Sequence, residues 1–257
     1  MNEGHLIEVE SQERENAAVL YLCDTPFLLT DLLGPLGLHP NLYWVLLQVP
    51  HGKLVAGRYG DVDLMAGPLR LTTKRGIEWP PALDHLVAVE AKCAYRSPTE
   101  VAVKAQKSSF GNVQQVRTQL EELWRFVPFN RVALLDIVIN PPSGGMDGQA
   151  WLRAAAAAAD SLDLMRRTLA DRLPADSGFG HFAFSWGSVV GADERQRGTG
   201  APLQFRGARE NPHLSDPDVQ QRRRELESNL TRFLSAWPSP PHIPAILGKY
   251  PRPQAKQ

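Results

Sequence analysis

The sequence predicts an α/β domain: a central mixed sheet of about four or five strands flanked by helices, with a C-terminal helical extension. Three observations lead there. Arg131–Ile139, RVALLDIVI, is an almost unbroken apolar run of strand length, the pattern of a strand covered on both faces. His85–Cys93, HLVAVEAKC, is a second strand, with Val87, Val89 and Ala91 on one face and Ala88, Glu90 and Lys92 on the other. Between them, about Gly111–Phe126, the residues Val113, Val116, Leu120, Leu123, Trp124 and Val127 recur at helical spacing. Strand, helix and strand in that order fit a right-handed crossover and a partly parallel sheet.

Composition narrows the function classes. At 257 residues, 43% hydrophobic, the chain can bury one sizeable core. Lysine plus arginine and aspartate plus glutamate both number 28, so any nucleic-acid affinity must come from a local patch rather than from net charge. Cys23 and Cys93 are far apart, with no zinc-ligand spacing, and read as reduced buried thiols. No apolar run reaches membrane-spanning length and the N-terminus is polar, so the expected location is cytoplasmic, with no membrane partner. The seven histidines show no metal-ligand spacing, and His85 reads as a loop histidine. No glycine-rich phosphate loop or nucleophile elbow is present.

In chain order, residues 1–18 read as a polar arm. Thr25-Pro26 reads as a helix start, with FLLTDLL following and Gly34-Pro35 stopping it. Asn41–Val49, NLYWVLLQV, reads as a strand, and Leu54–Tyr59 with Asp61–Ala66 as a strand pair kinked at Gly60. Arg70–Arg75 and the stretch after Lys92, with Arg96, Lys104 and Lys107 against Glu100, are basic and within reach of a polyanion. Asp136, inside the Arg131–Ile139 strand, reads as structural or edge-facing. Asn140–Gly148 is a loop, Trp151–Leu173 a long helix with six consecutive alanines, and Phe179–Val190 a half-buried strand with alternating aromatics. Residues 191–215 read as a flexible linker. A helix over about Pro217–Ala236 carries a stripe of Val219, Leu226, Leu230, Phe233 and Trp237, and a proline-rich tail follows. The domain plan is thus 1–190 with its core at about 25–140, the linker, and a helical extension over 216–257.

The acids carry the chemistry. In GDVDL, Asp61 and Asp63 share the face opposite Val62 and Leu64, and charges in apolar strands are rarely buried unless paired or metal-bound. Asp63, followed 27 residues later by Glu90-Ala91-Lys92, resembles the PD-(D/E)XK nuclease superfamily with its restriction-endonuclease-like fold. Val62 stands where the motif has proline. The resemblance implies an Mg²⁺- or Mn²⁺-dependent deoxyribonuclease. In it Asp63, Glu90 and the Ala91 carbonyl hold the metal, Lys92 handles the attacking water, and Gln115 (or Gln114) reaches the site from the following helix. Asp61 is a reserve ligand. DNA is the expected substrate, in bacterial defence, repair or mobile-element processing by analogy. A protein partner or a second copy could dock on the C-terminal helix. Two other readings remain open: a catalytically inactive nuclease-like scaffold or nucleic-acid-binding subunit, and a secreted nuclease toxin.

Overall fold

The computed structural model describes residues 26–72, 76–95, 112–140, 143, 148–190, 196–199, 202–240 and 242–249. The first elements are helix α1 (Pro26–Leu33), a 3₁₀ turn over Gly34–Leu36, strand β1 (Tyr43–Pro50) and the single-turn helix α2 (His51–Leu54). Strands β2 (Asp61–Pro68) and β3 (Val87–Tyr95), helix α3 (Val113–Arg125) and strand β4 (Arg131–Ile139) follow. The last are α4 (Gly148–Leu169), β5 (Gly180–Val190), β6 (Gln196–Thr199), β7 (Pro202–Arg206), α5 (Pro217–Ser235) and β8 (Ala245–Lys249). The fold is α/β, and the strands form one mixed sheet in the order β6-β5-β4-β3-β2-β1-β8, with β7 also paired to β5. β1 runs antiparallel to β2, β2 antiparallel to β3, β4 parallel to β5, and β1 parallel to β8.

Several expectations need correction. The sheet has eight strands rather than four or five. The partner of β2 is β1, which reaches Pro50; residues 54–59 are not a strand. The stretch read as a linker carries β6 and β7, which succeed one another along β5: β6 pairs with Gly187–Val190 and β7 with His181–Phe184. Edge pairing uses backbone groups, so polar, glycine-rich sequence suffices. The proline-rich tail supplies β8. Residues 1–18, the Thr25 cap, Cys23 and the basic residues Arg96, Lys104 and Lys107 lie outside the described residues. No helix among the described residues is long and apolar enough to cross a membrane.

The chain divides into two compact units. One comprises 33–90, 119–132 and 209–257. In it α5 buries Val219, Leu226, Leu230 and Leu234, the i, i+4 stripe of an amphipathic helix, so this face is used within the chain. Asn229 Nδ2 donates to Leu54 O at 3.0 Å, Ala56 N–H to Glu225 Oε1 at 2.8 Å, and Trp79 Nε1 to the carbonyls of Leu234 and Trp237 at the helix's end. Arg223 donates to the carbonyls of Leu83 and Pro128, fixing two loops. Asn211 is buried, and its Nδ2 donates to the carbonyls of Trp124 and Phe129, closing the end of α3.

The other unit takes in 91–118 and 133–208 with the N-terminal residues up to 32. Here α4 buries Ala150, Ala154, Ala158, Ser161, Met165 and Leu169. Small residues let its backbone approach β5 closely: a Cβ on Gly187 would lie 2.8 Å from the Ala154 carbonyl carbon. Phe182 and Phe184 are fully buried, so these strand aromatics serve packing. Asp136 is fully buried as well, bonded to Arg172 and to His181 Nε2. A carboxylate inside a strand is tolerated when it is paired in this way.

Candidate functional site

β2 and β3 meet in the register Ala66↔Val87, Met65↔Ala88, Leu64↔Val89. Its next step sets Asp63 against Glu90. Directly opposed residues of an antiparallel pair share a face, with Cβ atoms roughly 5 Å apart. The alternation that places Val62, Leu64 and Ala66 on one face leaves Asp63 and Glu90 on the other. Lys92 falls on that face too, two residues beyond Glu90 on the same strand. Glu90 is only 6% exposed; Asp63 and Lys92 are half-buried and Ala91 is buried.

β1 extends the row. Leu47↔Leu64 and Val49↔Val62 flank Gln48, which stands across from Asp63 and has φ +51°. A non-glycine residue in the left-handed region inside a strand is strained, and such strain clusters at functional sites.

The chain then turns into α2 at His51, the histidine that sequence spacing did not single out. Its N–H donates to Gly60 O at 2.8 Å, and its Nδ1–H to Tyr59 O at 3.0 Å. Nε2 is left as the acceptor nitrogen; it is buried and meets no hydrogen-bond partner among the described residues. Burial lowers the His51 pKa below 6.5, against the opposing pull of Glu90, the Tyr59 carbonyl, Glu122 and Asp61. The ring is thus favoured neutral, its bare lone pair in a neighbourhood of three carboxylates. A ring nitrogen donating to a backbone carbonyl is also the usual way a metal-binding histidine is oriented.

Helix α3 contributes Glu122 and Gln119. Gln119 Oε1 is buried and without a partner among the described residues, whereas Gln115, one turn earlier on the same stripe, is exposed. Gln114 is exposed too. The helix glutamine that points inward is therefore Gln119.

Among the described residues, no three or more histidine, cysteine, aspartate or glutamate side chains are gathered into a cage for a metal ion. Magnesium needs no such cage, because it keeps several waters and is commonly held by one or two carboxylates. Asp63 and Glu90, on one face of neighbouring strands, are the two carboxylates such a hydrated cation would need. His85, by contrast, donates Nε2–H to Leu36 O at 2.9 Å and is structural. Arg70 is held by Asp84 at 2.5 Å, so the basic loop's first guanidinium is already paired. Compared with protein-family models, curated proteins and solved structures, the chain matches none.

Proposed function

We propose that the chain is a metal-dependent nuclease that hydrolyses DNA phosphodiester bonds. The observation that carries this is the β2–β3 register, Leu64↔Val89, whose continuation by one step would set Asp63 opposite Glu90, with Lys92 on the same face of β3. The order α1, β1, the single-turn α2, β2, β3, α3, β4 over 26–139, with β1, β2 and β3 successive neighbours in the sheet, supports a restriction-endonuclease-like core. Asp63 and Glu90, with the Ala91 carbonyl, would hold Mg²⁺ or Mn²⁺. When bound, the cation offsets phosphoryl charge and lowers the pKa of a coordinated water. Lys92 orients the attacking water and offsets the charge that develops as it attacks; a lysine crowded by a cation also gives up its proton more readily. His51, kept neutral, accepts a proton or a water hydrogen bond at Nε2. Gln119 offers a second acceptor from α3.

The test is incubation of the purified protein with plasmid and linear DNA, with Mg²⁺, with Mn²⁺ or with a chelator. Metal-dependent cutting that Asp63→Ala and Lys92→Ala each abolish is the expected result. Equal cutting by wild type and variants refutes the assignment. Binding of DNA without cutting would favour the nucleic-acid-binding subunit.

A further inference from the structure

Beside His51, the loop that carries its hydrogen-bond acceptor presents a different set of groups. Arg58 lies over the ring of Phe126, its guanidinium carbon 3.8 Å from the centroid. Arg222, from α5, lies over the same ring at 4.9 Å. The two guanidiniums are therefore within about 9 Å of each other. Arg58 meets no carboxylate and no other acceptor among the described residues. Among the described residues, Arg222 donates only to the Arg125 carbonyl, at 2.9 Å. Asp216 and Asp218 line the cavity of about 220 Å³ next to Arg222, but neither forms an ion pair with it. Two like charges held over one ring repel unless an anion joins them, and a stacked guanidinium keeps its in-plane N–H groups free for a phosphate.

Next to Arg58, Tyr59 is 94% exposed. Gly57 (φ +73°) and Gly60 (φ +98°) turn the chain on either side of it, and its carbonyl is fixed by His51. An aromatic ring held almost wholly in water has a face open to stacking. Duplex bases already stack on each other, so this ring suits an unpaired one. Phe126 lies one helical turn from Glu122, which acts on His51, so the patch adjoins the acids.

We infer that Arg58 and Arg222 grip the backbone of a single-stranded nucleic acid while Tyr59 stacks on one of its bases. The inference names the substrate form of the proposed nuclease and rests on that reading, but its test does not require cutting.

The experiment measures fluorescence anisotropy of a labelled oligo-dT and of a duplex of equal length, both in chelator, over a range of salt. Tighter binding to the single strand is expected. Tyr59→Ala weakens that binding about tenfold and Tyr59→Phe preserves it. Arg58→Ala and Arg222→Ala each reduce the slope of log affinity against log salt by about 0.7. Thermal melting checks that the variants fold; Tyr59, almost wholly in water, has little packing to lose. Wild-type binding by Tyr59→Ala, equal losses on duplex and single strand, or unchanged salt slopes overturn the inference. If the single strand is bound through these residues but never cut with metal, the inference stands and the nuclease reading fails. If DNA is cut while these variants bind as wild type does, only the inference fails.

Discussion

Replacing Gly187 with alanine tests the closeness of α4 to β5. The added Cβ would lie 2.8 Å from the Ala154 carbonyl carbon and nearer still to its oxygen. An ordinary carbon–oxygen contact is about 3.3 Å or more, so the backbones must part by roughly 1 Å. The neighbour met is main chain and cannot rotate away. A gap of 0.5–1 Å forfeits about a quarter to a half of the dispersion energy of the atoms facing it. That loss falls on the stripe Ala150, Ala154 and Ala158. Overpacking typically costs about 1–3 kcal/mol; with a rigid helix as the obstacle, about 3 kcal/mol is expected. That lowers Tm by roughly 6–12 °C for a chain of this size. Urea denaturation and thermal melting followed by circular dichroism measure it. Because the obstacle is a carbonyl and not the Ala154 methyl, Ala154→Gly will not rescue Gly187→Ala. A loss under about 1 kcal/mol, or rescue by the double variant, refutes the reasoning.

Two further predictions concern the candidate site. His51 has a folded-state pKa below 6.5, so as pH falls through 6.5 the unfolded chain takes up this proton before the folded chain does. Stability is therefore full above that value and declines as pH drops towards the lower folded pKa. His51→Gln should flatten this part of the profile, and urea midpoints at about pH 7.5 and 5.5 measure the difference. A wild-type profile as flat as the variant's would refute it. At Gln48, glycine relieves a left-handed conformation that costs an L residue about 1–2 kcal/mol, against roughly 0.5–1 kcal/mol of added chain entropy. Gln48→Gly is therefore expected to keep or slightly raise Tm while lowering metal-dependent cleavage; a falling Tm with intact cleavage would show the strain reading to be wrong.

The parts legible in the sequence are those in which one element's pattern suffices. The strand at Glu90, the β4 run and the stripes of α3 and α5 announce themselves because burial and periodicity are local. In α3, Val116, Leu120, Leu123 and Trp124 are buried as the pattern requires, while Val113, at the helix's open end, is 46% exposed. β6 and β7 stayed hidden because main-chain pairing along an edge leaves no apolar signature. Residues 54–59 were misread because Leu54 and Val55 are buried as the end of a helical turn and the residue after it, and apolar residues alone do not distinguish turn from strand. That Asp63 and Glu90 lie on one strand face was legible from the alternation within each strand. The influence of Asp61, Glu90 and Glu122 on His51 was not, since these residues come from two helices and two strands with no fixed spacing. The only local hint was Gly60, whose left-handed turn brings the Tyr59 carbonyl to the imidazole.

The unit that holds Asp63 and Glu90 is assembled from three separate stretches, and this bears on when it can form. Asn229 reaches back 175 residues to Leu54, and Glu225 reaches back 169 residues to Ala56. During synthesis, the earlier stretches leave the ribosome long before α5 exists. The buried faces against which α5 packs are open for that interval, and Arg222 is not yet over Phe126. A nascent chain thus carries the acids but lacks part of their support. The stretch from Arg209 through α5 acts as the closing piece of the unit's interior, so cutting it away would expose its core.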